Sequence, residues 1–284
     1  MTTRINLNGE IHPDAHISVL DHGFLFGDSI YEVVSTHHGH LCFVNEHLKR
    51  LRNSALAISL KIPLTDEQMV QEIQKTVEVA GNPDSYIRII ITRGVGEVDI
   101  DPETCTRPNV VIFVKSAMPY PEENYRDGIN VALVSVKRNP KEALNPGIKT
   151  GNYLNNVLAK VEARKAGAAD ALMQNPTGQL TECTTSNFFF VIDQRLMTPS
   201  LDCGILSGIT REVVLRLARE NGILVEEGEW PPDVLQNAEE AFITGTVKMV
   251  MPVTSLDGRP VGSGKPGSVT KMMIRLYQDV LKTL

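Results

Sequence analysis

Between Ser116 and Gly128 the chain reads SAMPYPEENYRDG, a concentration of proline, acidic residues and glycine. Such a stretch neither sustains a strand ladder nor buries a face. It divides the 284 residues into two parts, each long enough for its own core. The division predicts a smaller N-terminal α/β domain over residues 1–117, a linker over 118–128 and a larger domain over 129–284. Strand-like and helix-like segments intermix on both sides without the steady alternation of a doubly wound sheet, which predicts an α/β (α+β) class.

In the first part, TRINLNGEI reads as a strand ending in a turn and VVSTHHGHLCFV as a hairpin about His38-Gly39. NEHLKRLRNSALAI carries Leu48, Leu51, Ala55 and Ile58 on one helical face. LTDEQMVQEIQKTVEVAGN opens with a capping box, Thr65 to Gln68, and stops at Gly81. SYIRIIITRG and NVVIFVKS have buried-strand character. In the second part, INVALVSVKR reads as a strand, with Lys149 expected at the end of a core strand just before a helix. In that helix Leu154, Val157, Leu158 and Val161 follow the spacing of an apolar face, and Lys160, Arg164 and Lys165 read as its solvated side. AADALMQNPTGQLTECTTSNFFFVIDQRLMTP reads as antiparallel strands joined by an N-P-T-G turn, and SGITREVVLRLARENG as a helix ended by Gly222. EEAFITGTVKMVMPV holds strands around a Thr-Gly-Thr turn, and a last helix follows Thr270.

A net charge of −6 argues against nucleic acid or an anionic membrane surface as partner. No run approaches the roughly 20 apolar residues of a membrane span, and MTTRINLNGE is too polar for a secretory signal. Cys42, Cys105, Cys183 and Cys203 lie far apart with no C-x-x-C pair, as in a reduced cytoplasmic protein. The HHGH run sits at a hairpin tip without the carboxylates or cysteines of a usual metal site, so no metal is expected.

Several residues have both an ordinary and a chemical reading. Lys149 lies between Gly147 and Gly151, which let backbone or ligand come close. It is either a solvated loop amine or a nucleophile toward a carbonyl. Glu182, between Leu180 and a hydroxyl-rich turn, is either an exposed strand-end carboxylate or one that needs a cationic or hydrogen-bonding partner. Ser207-Gly208 ahead of Ile209-Thr210, the Thr244–Thr246 turn and Arg50 each suit a phosphate, or serve as an N-cap, a hairpin turn and a surface arginine. Alternation in SYIRIIITRG puts Tyr86, Arg88 and Ile90 on one face. Arg88 there meets either a structural ion-pair partner or a substrate carboxylate.

Taken in order, DHGFLFGDSIYEVV, NEHLKRLRNSA, KTGNYLNNVLAKVEA, GQLTECTTSNFFFV, GILSGITREVV and FITGTVKMVMPV resemble the class IV aminotransferases, the fold-type IV pyridoxal-phosphate enzymes. The likeness spans nearly the whole chain. That family includes branched-chain aminotransferases, D-amino-acid aminotransferases and aminodeoxychorismate lyases. The resemblance implies a larger domain with a barrel-like sheet, pyridoxal 5'-phosphate as cofactor, and at least a homodimer. It makes Lys149 the Schiff-base lysine, bonded to the cofactor aldehyde at rest and a general acid–base during turnover. Glu182 becomes the partner of the pyridine nitrogen and Tyr153 that of the ring oxygen. Arg50, the Ile209 and Thr210 amides and Thr246 become the phosphate ligands.

For the substrate, the resemblance points two ways. FGDSIYEVV is similar to the D-amino-acid enzymes, where a tyrosine at the position of Tyr31 helps bind the carboxylate. Those enzymes carry an Arg-x-His after TRG, whereas this chain has the acidic Glu97-Val98-Asp99-Ile100. SYIR is similar to branched-chain enzymes, which implies carboxylate recognition by Tyr86 and Arg88, with further donors from the Thr246-Val247 turn. The favoured expectation is transfer of the amino group of an L-branched-chain amino acid to 2-oxoglutarate. A D-amino-acid or (R)-amine transaminase comes second, and a lyase, disfavoured by Tyr153, third. A catalytically silent dimer is the reading outside enzymology.

Overall fold

The computed structural model describes residues 2–284. They divide into two compact units. One gathers the chain up to Met118 with Ile148–Asn152 and Leu284, and the other Pro119–Gly147 with Tyr153–Thr283.

The first unit contains β1 (Arg4–Leu7), β2 (Glu10–His12), α1 (His22–Leu25), β3 (Ser29–His37), β4 (His40–Leu41), α2 (Val44–Ala57), α3 (Asp66–Ala80), β5 (Ser85–Thr92) and β6 (Asn109–Ser116). Its six strands run in the order β2-β1-β6-β5-β3-β4, every pair antiparallel. Period-two alternation assigns the faces: Ile87, Ile89 and Ile91 of β5 and Val110, Ile112 and Val114 of β6 are buried against Leu48, Leu51, Met69 and Ile73 of the two long helices. α3 begins with the reciprocal Thr65–Gln68 box and ends on Gly81, whose φ of 64° is the left-handed stop that glycine permits.

The second unit contains α4 (Glu122–Asp127), β7 (Ile129–Lys137), α5 (Lys141–Leu144), α6 (Leu154–Lys165), β8 (Asp170–Gln174), β9 (Leu180–Cys183), β10 (Asn187–Ile192), β11 (Arg195–Pro199), α7 (Ile209–Glu220), β12 (Val225–Gly228), β13 (Glu240–Gly245), β14 (Met249–Leu256), β15 (Arg259–Pro260) and α8 (Ser268–Leu281). The nine-stranded sheet runs β12-β11-β10-β13-β14-β7-β8-β9, with β15 on β14. The β11–β12, β14–β7 and β7–β8 pairs are parallel, and the rest antiparallel. Its core joins Leu172, Leu180, Phe188, Phe190, Ile243 and Met251.

Within the 116–128 stretch, Glu122–Asp127 form the short α4. Two expectations are corrected. The last helix starts at Ser268 and includes Thr270. The larger correction concerns α6, which buries Asn156, Ala159 and Ala163 and leaves Leu154, Val157, Leu158 and Val161 between 45% and 69% exposed. Alanines allow the helix to lie close on β7 and β8, where Ala132, Ala171 and Met173 receive them. Lys160 is half-buried and donates to the Ala169 carbonyl, so it does not belong to a solvated face, unlike the exposed Arg164 and Lys165.

Candidate active site

Lys149 does not end a core strand. β7 stops at Lys137, α5 intervenes, and residues 148–152 form an extended strap on the edge of β3. The Tyr31 amide donates to the Lys149 carbonyl at 3.0 Å, the Gly151 amide to the Ser29 carbonyl at 2.8 Å, and the Lys149 amide to Ser54 Oγ at 3.1 Å. A Cβ on Gly151 would lie 2.2 Å from Ser29 Oγ, so that glycine is needed for the strap to reach the strand. With the backbone fixed this way, Lys149 Nζ sits 4.3 Å from the centroid of the buried Tyr31 ring.

Tyr31 and Arg88 project from the face of the sheet opposite the helices. Val33 pairs with Arg88 and Tyr31 with Ile90, so the guanidinium reaches diagonally to lie 3.9 Å from the Tyr31 centroid. Tyr86 shares this face. Among the described residues Arg88 pairs with no carboxylate, so the structural ion pair is not what holds it.

Arg50 is not a surface arginine. Its Nε and Nη2 donate to the two oxygens of Glu32 at 2.6 and 2.8 Å, and His47 Nδ1 meets Glu32 Oε2 at 2.7 Å. Glu32 shares the core-facing parity of Ile30 and Val34. Burial pushes its carboxyl up, but the hydrogen bonds and charge of Arg50, joined by His47, outweigh this and hold it at about 2, below its ordinary 4.5. Burial pushes His47 below its ordinary 6.5; Glu32 opposes this, and the charges of Arg50 and Lys149 add to it. Both groups therefore bind protons less readily when folded than when unfolded, so their contributions are complete at neutral pH and lost on acidification. Stability is expected to begin falling below 6.5 and to drop further between 4.5 and about 2, as Glu32 protonates. Glu32→Gln should destabilise the neutral protein by about 3–5 kcal/mol and remove the lower limb of the curve. Thermal midpoints against pH check this, and a wild-type curve level through the Glu32 window contradicts it.

In the second unit, Glu182 lies in β9, 5% exposed. Its Oε1 accepts from Arg138 Nε and Nη2 at 3.1 and 3.0 Å. Its Oε2 accepts from Asn187 Nδ2 at 3.2 Å and the Leu206 amide at 3.1 Å. This is the cationic and hydrogen-bonding company a buried carboxylate requires. Arg138 also reaches Asn155 and Asn156.

α7 starts at Ile209 with Gly208 as N-cap and no side-chain cap, so its first amides point outward. A Cβ on Gly208 would lie 2.0 Å from Asn187 Oδ1, which ties the start of this helix to the Glu182 cluster. Thr210 is buried, while Thr246 and Val247 stand half-buried in the turn joining β13 to β14. Thr244 and Gly245, expected in that turn, instead close β13. A cavity of about 360 Å³ in this unit is lined by Tyr120, Tyr153, Asn156, Asp170, Thr185 and Lys248 among others. The expected residues thus form two sets: Lys149, Tyr31, Arg88, Tyr86 and Arg50 in the first unit, and Tyr153, Glu182, Ile209, Thr210, Thr246 and Val247 in the second. Glu32, His47, Arg138 and Lys248 were not expected from the sequence.

The chain thus straps a lysine to one sheet and holds a carboxylate against an arginine in the other. The amino-transferase class IV family model matches residues 29–256, and the chain belongs to that family. It is 40% identical over 279 residues to a putative branched-chain-amino-acid aminotransferase of Methanocaldococcus jannaschii, covering 98% of this chain and 96% of that one. It is 32% identical over 278 residues to a D-alanine aminotransferase of Bacillus licheniformis, covering 97% and 96%. Among solved structures, the branched-chain amino acid aminotransferase of Escherichia coli superposes with a TM-score of 0.94 at 28% identity, covering 98% of this chain and 94% of that one. The branched-chain enzyme of Thermobaculum terrenum, in its PLP-bound holo-form, gives 0.88 at 28%, covering 99% and 94%.

The protein is a class IV aminotransferase with the fold-type IV architecture, and this class works with pyridoxal 5'-phosphate. The donor set fits that cofactor. An aldehyde would meet the Lys149 amine, a ring nitrogen would meet a buried carboxylate paired with an arginine, and a phosphate would meet a helix N-terminus without a side-chain cap.

Proposed function

We propose that the chain moves the amino group of an L-branched-chain amino acid to 2-oxoglutarate. The observation that carries this reading is Arg88, a guanidinium without a carboxylate partner among the described residues, stacked on the same tyrosine as Lys149. Beside the amine that meets the cofactor, this guanidinium offers a charge-assisted partner to a substrate carboxylate. The surrounding β-branched wall of Val33, Ile90 and Val111 suits an aliphatic side chain. A family relative named for branched-chain amino acids at 40% identity also supports it.

Bound pyridoxal phosphate supplies an aldehyde to carry the amino group and a ring to take up the electron pair left when the Cα proton departs. The chain's residues supply the rest. Lys149 Nζ takes the Cα proton and returns it on the other side of the exchange. Glu182 keeps the ring nitrogen protonated, and Tyr153 donates to the ring oxygen. Arg50, oriented by Glu32, holds the phosphate with the Ile209 and Thr210 amides and Thr246. Tyr31, Tyr86, Arg88 and the Thr246-Val247 amides hold carboxylates. We further assign a small domain over 1–117, a linker over 118–128, a large cofactor domain over 129–284, and a cytoplasmic homodimer whose contact includes the exposed apolar stripe of α6.

The test is the visible spectrum of the holoprotein before and after L-leucine, D-alanine or an (R)-amine, each alone. A band lost only with L-leucine and restored by 2-oxoglutarate supports the proposal; a band lost only with D-alanine or the amine overturns it. The D-amino-acid reading keeps its place through Tyr31 and the D-alanine relatives. Arg88→Glu separates substrates further. Its kcat/KM for L-glutamate should fall by about 100-fold, and that for L-leucine by less. Unchanged glutamate kinetics would remove Arg88 from the site.

A further inference from the structure

Lys248 lies next to Thr246 and Val247 in the hairpin tip between β13 and β14. Hairpin tips move unless something ties them. Here the Lys248 ammonium donates to Asp170 Oδ2 at 2.6 Å, Thr185 Oγ1 at 2.9 Å and Ser186 Oγ at 2.7 Å. An ammonium has three protons, so these three acceptors take all of its donors and leave none for a ligand. The main chain at this point is held too, with Tyr125 Oη donating to the Lys248 carbonyl at 3.2 Å. The following residue, Met249, has a φ of 53°, a left-handed conformation that a non-glycine residue keeps only where its surroundings impose it.

The anchor is itself rigid. Asp170 is 1% exposed, and its other oxygen accepts from Thr184 Oγ1 at 2.5 Å and from the Ala171 amide at 2.9 Å. Burial pushes Asp170 up, but the charge and hydrogen bond of Lys248, with Thr184, hold it below the usual carboxylate range. The two turns touch, since a Cβ on Gly245 would stand 3.2 Å from the Thr185 carbonyl. The 184–186 turn lies between Glu182 and Asn187, which are hydrogen-bonded to each other. Lys248 therefore joins the tip that carries Thr246 and Val247 to the strand ends that fix Glu182.

We propose that Lys248 is a positioning residue for carboxylate recognition: by tying the 246–248 turn to Asp170, Thr185 and Ser186 it holds the Thr246 and Val247 amides in place for the substrate α-carboxylate. This rests on the assignment of those amides made above. The α-carboxylate is common to every amino acid, so the effect of losing the tie is the same whatever the side chain.

The experiment compares the wild-type holoenzyme with Lys248→Gln and with the Thr185→Ala/Ser186→Ala double variant. It measures steady-state kinetics with L-leucine, L-valine and L-isoleucine, and amide hydrogen exchange across residues 245–249. In Lys248→Gln, KM is expected to rise by about tenfold for all three donors alike, with kcat changed less, because a small displacement of binding groups is read mainly in binding. Exchange across residues 245–249 should quicken by about tenfold or more. The double variant keeps the ion pair and should show the same pattern at smaller size, so the test survives a Lys248 variant that fails to fold.

A lysine that only stabilises would lower the thermal midpoint and leave KM and exchange unchanged, which overturns the proposal. A KM effect confined to one side chain also overturns it. Exchange is read whatever the substrate. Wild-type protein inactive on L-leucine contradicts the substrate assignment, whereas unchanged exchange across 245–249 in both variants contradicts this one.

Discussion

Replacing Lys149 with alanine is expected to abolish the visible band of lysine-bound cofactor and to lower transamination by on the order of 10⁴-fold or more, since one group serves as both nucleophile and proton carrier. The fold should survive. The strap is held by the Lys149 amide and carbonyl, and neither depends on its side chain. Truncating the side chain leaves these backbone bonds in place. The thermal midpoint of Lys149→Ala without cofactor should thus lie close to that of wild type treated in the same way. Undiminished turnover in the variant would end the assignment. An unfolded variant would contradict the claim that the strap stays seated without the lysine side chain.

Glu182→Gln should lower turnover by about 10²–10³-fold while the cofactor stays bound, because a neutral amide no longer keeps the ring nitrogen protonated. The carboxylate accepts from Arg138 on one oxygen and from Asn187 and the Leu206 amide on the other. A glutamine can offer only one accepting oxygen, so it leaves one of these sets of donors unmatched. A fall in thermal midpoint is expected alongside the kinetic loss, and buried Arg138 is its source. Turnover within about twofold of wild type, with cofactor bound, would show that this carboxylate has no electronic part in the reaction.

Much of the fold is legible in local patterns. The Thr65–Gln68 box, the stop at Gly81 and the alternation through Ile87, Ile89 and Ile91 are short-range signals, and each appears where the spacing puts it. α6 departs from its apolar pattern because it carries two faces of helical period. Leu154, Val157, Leu158 and Val161 are the more apolar set, yet Ala159 and Ala163 face the sheet, where close approach favours small residues. Hydrophobicity alone cannot choose between a face that packs within the chain and one that stays exposed on it.

The partners of the charged groups are hidden from the sequence for a different reason. Glu32 and Arg50 lie 18 residues apart, and Arg138 and Glu182 lie 44 apart, so no local pattern joins them. A signal does exist for Glu32. It falls on the same strand parity as Ile30 and Val34, where a carboxylate must find a cation, and His47 and Arg50 share one helix face three residues apart. Lys248 carries no such signal, because its partners come from β8 and the 184–186 turn.

The strap at 148–152 also bears on how the chain is made. β4 covers only the far end of β3, through Thr36 and His37, and the strap covers the same edge at Ser29–Tyr31. A nascent chain that has emerged only as far as Met118 holds all six strands of its first sheet but leaves that stretch of edge bare. The edge closes only when the chain has grown on to residues 148–152, and the pairing it awaits has a high sequence separation, which slows folding. The half-made polypeptide is therefore at its stickiest just before the segment carrying the reactive amine emerges.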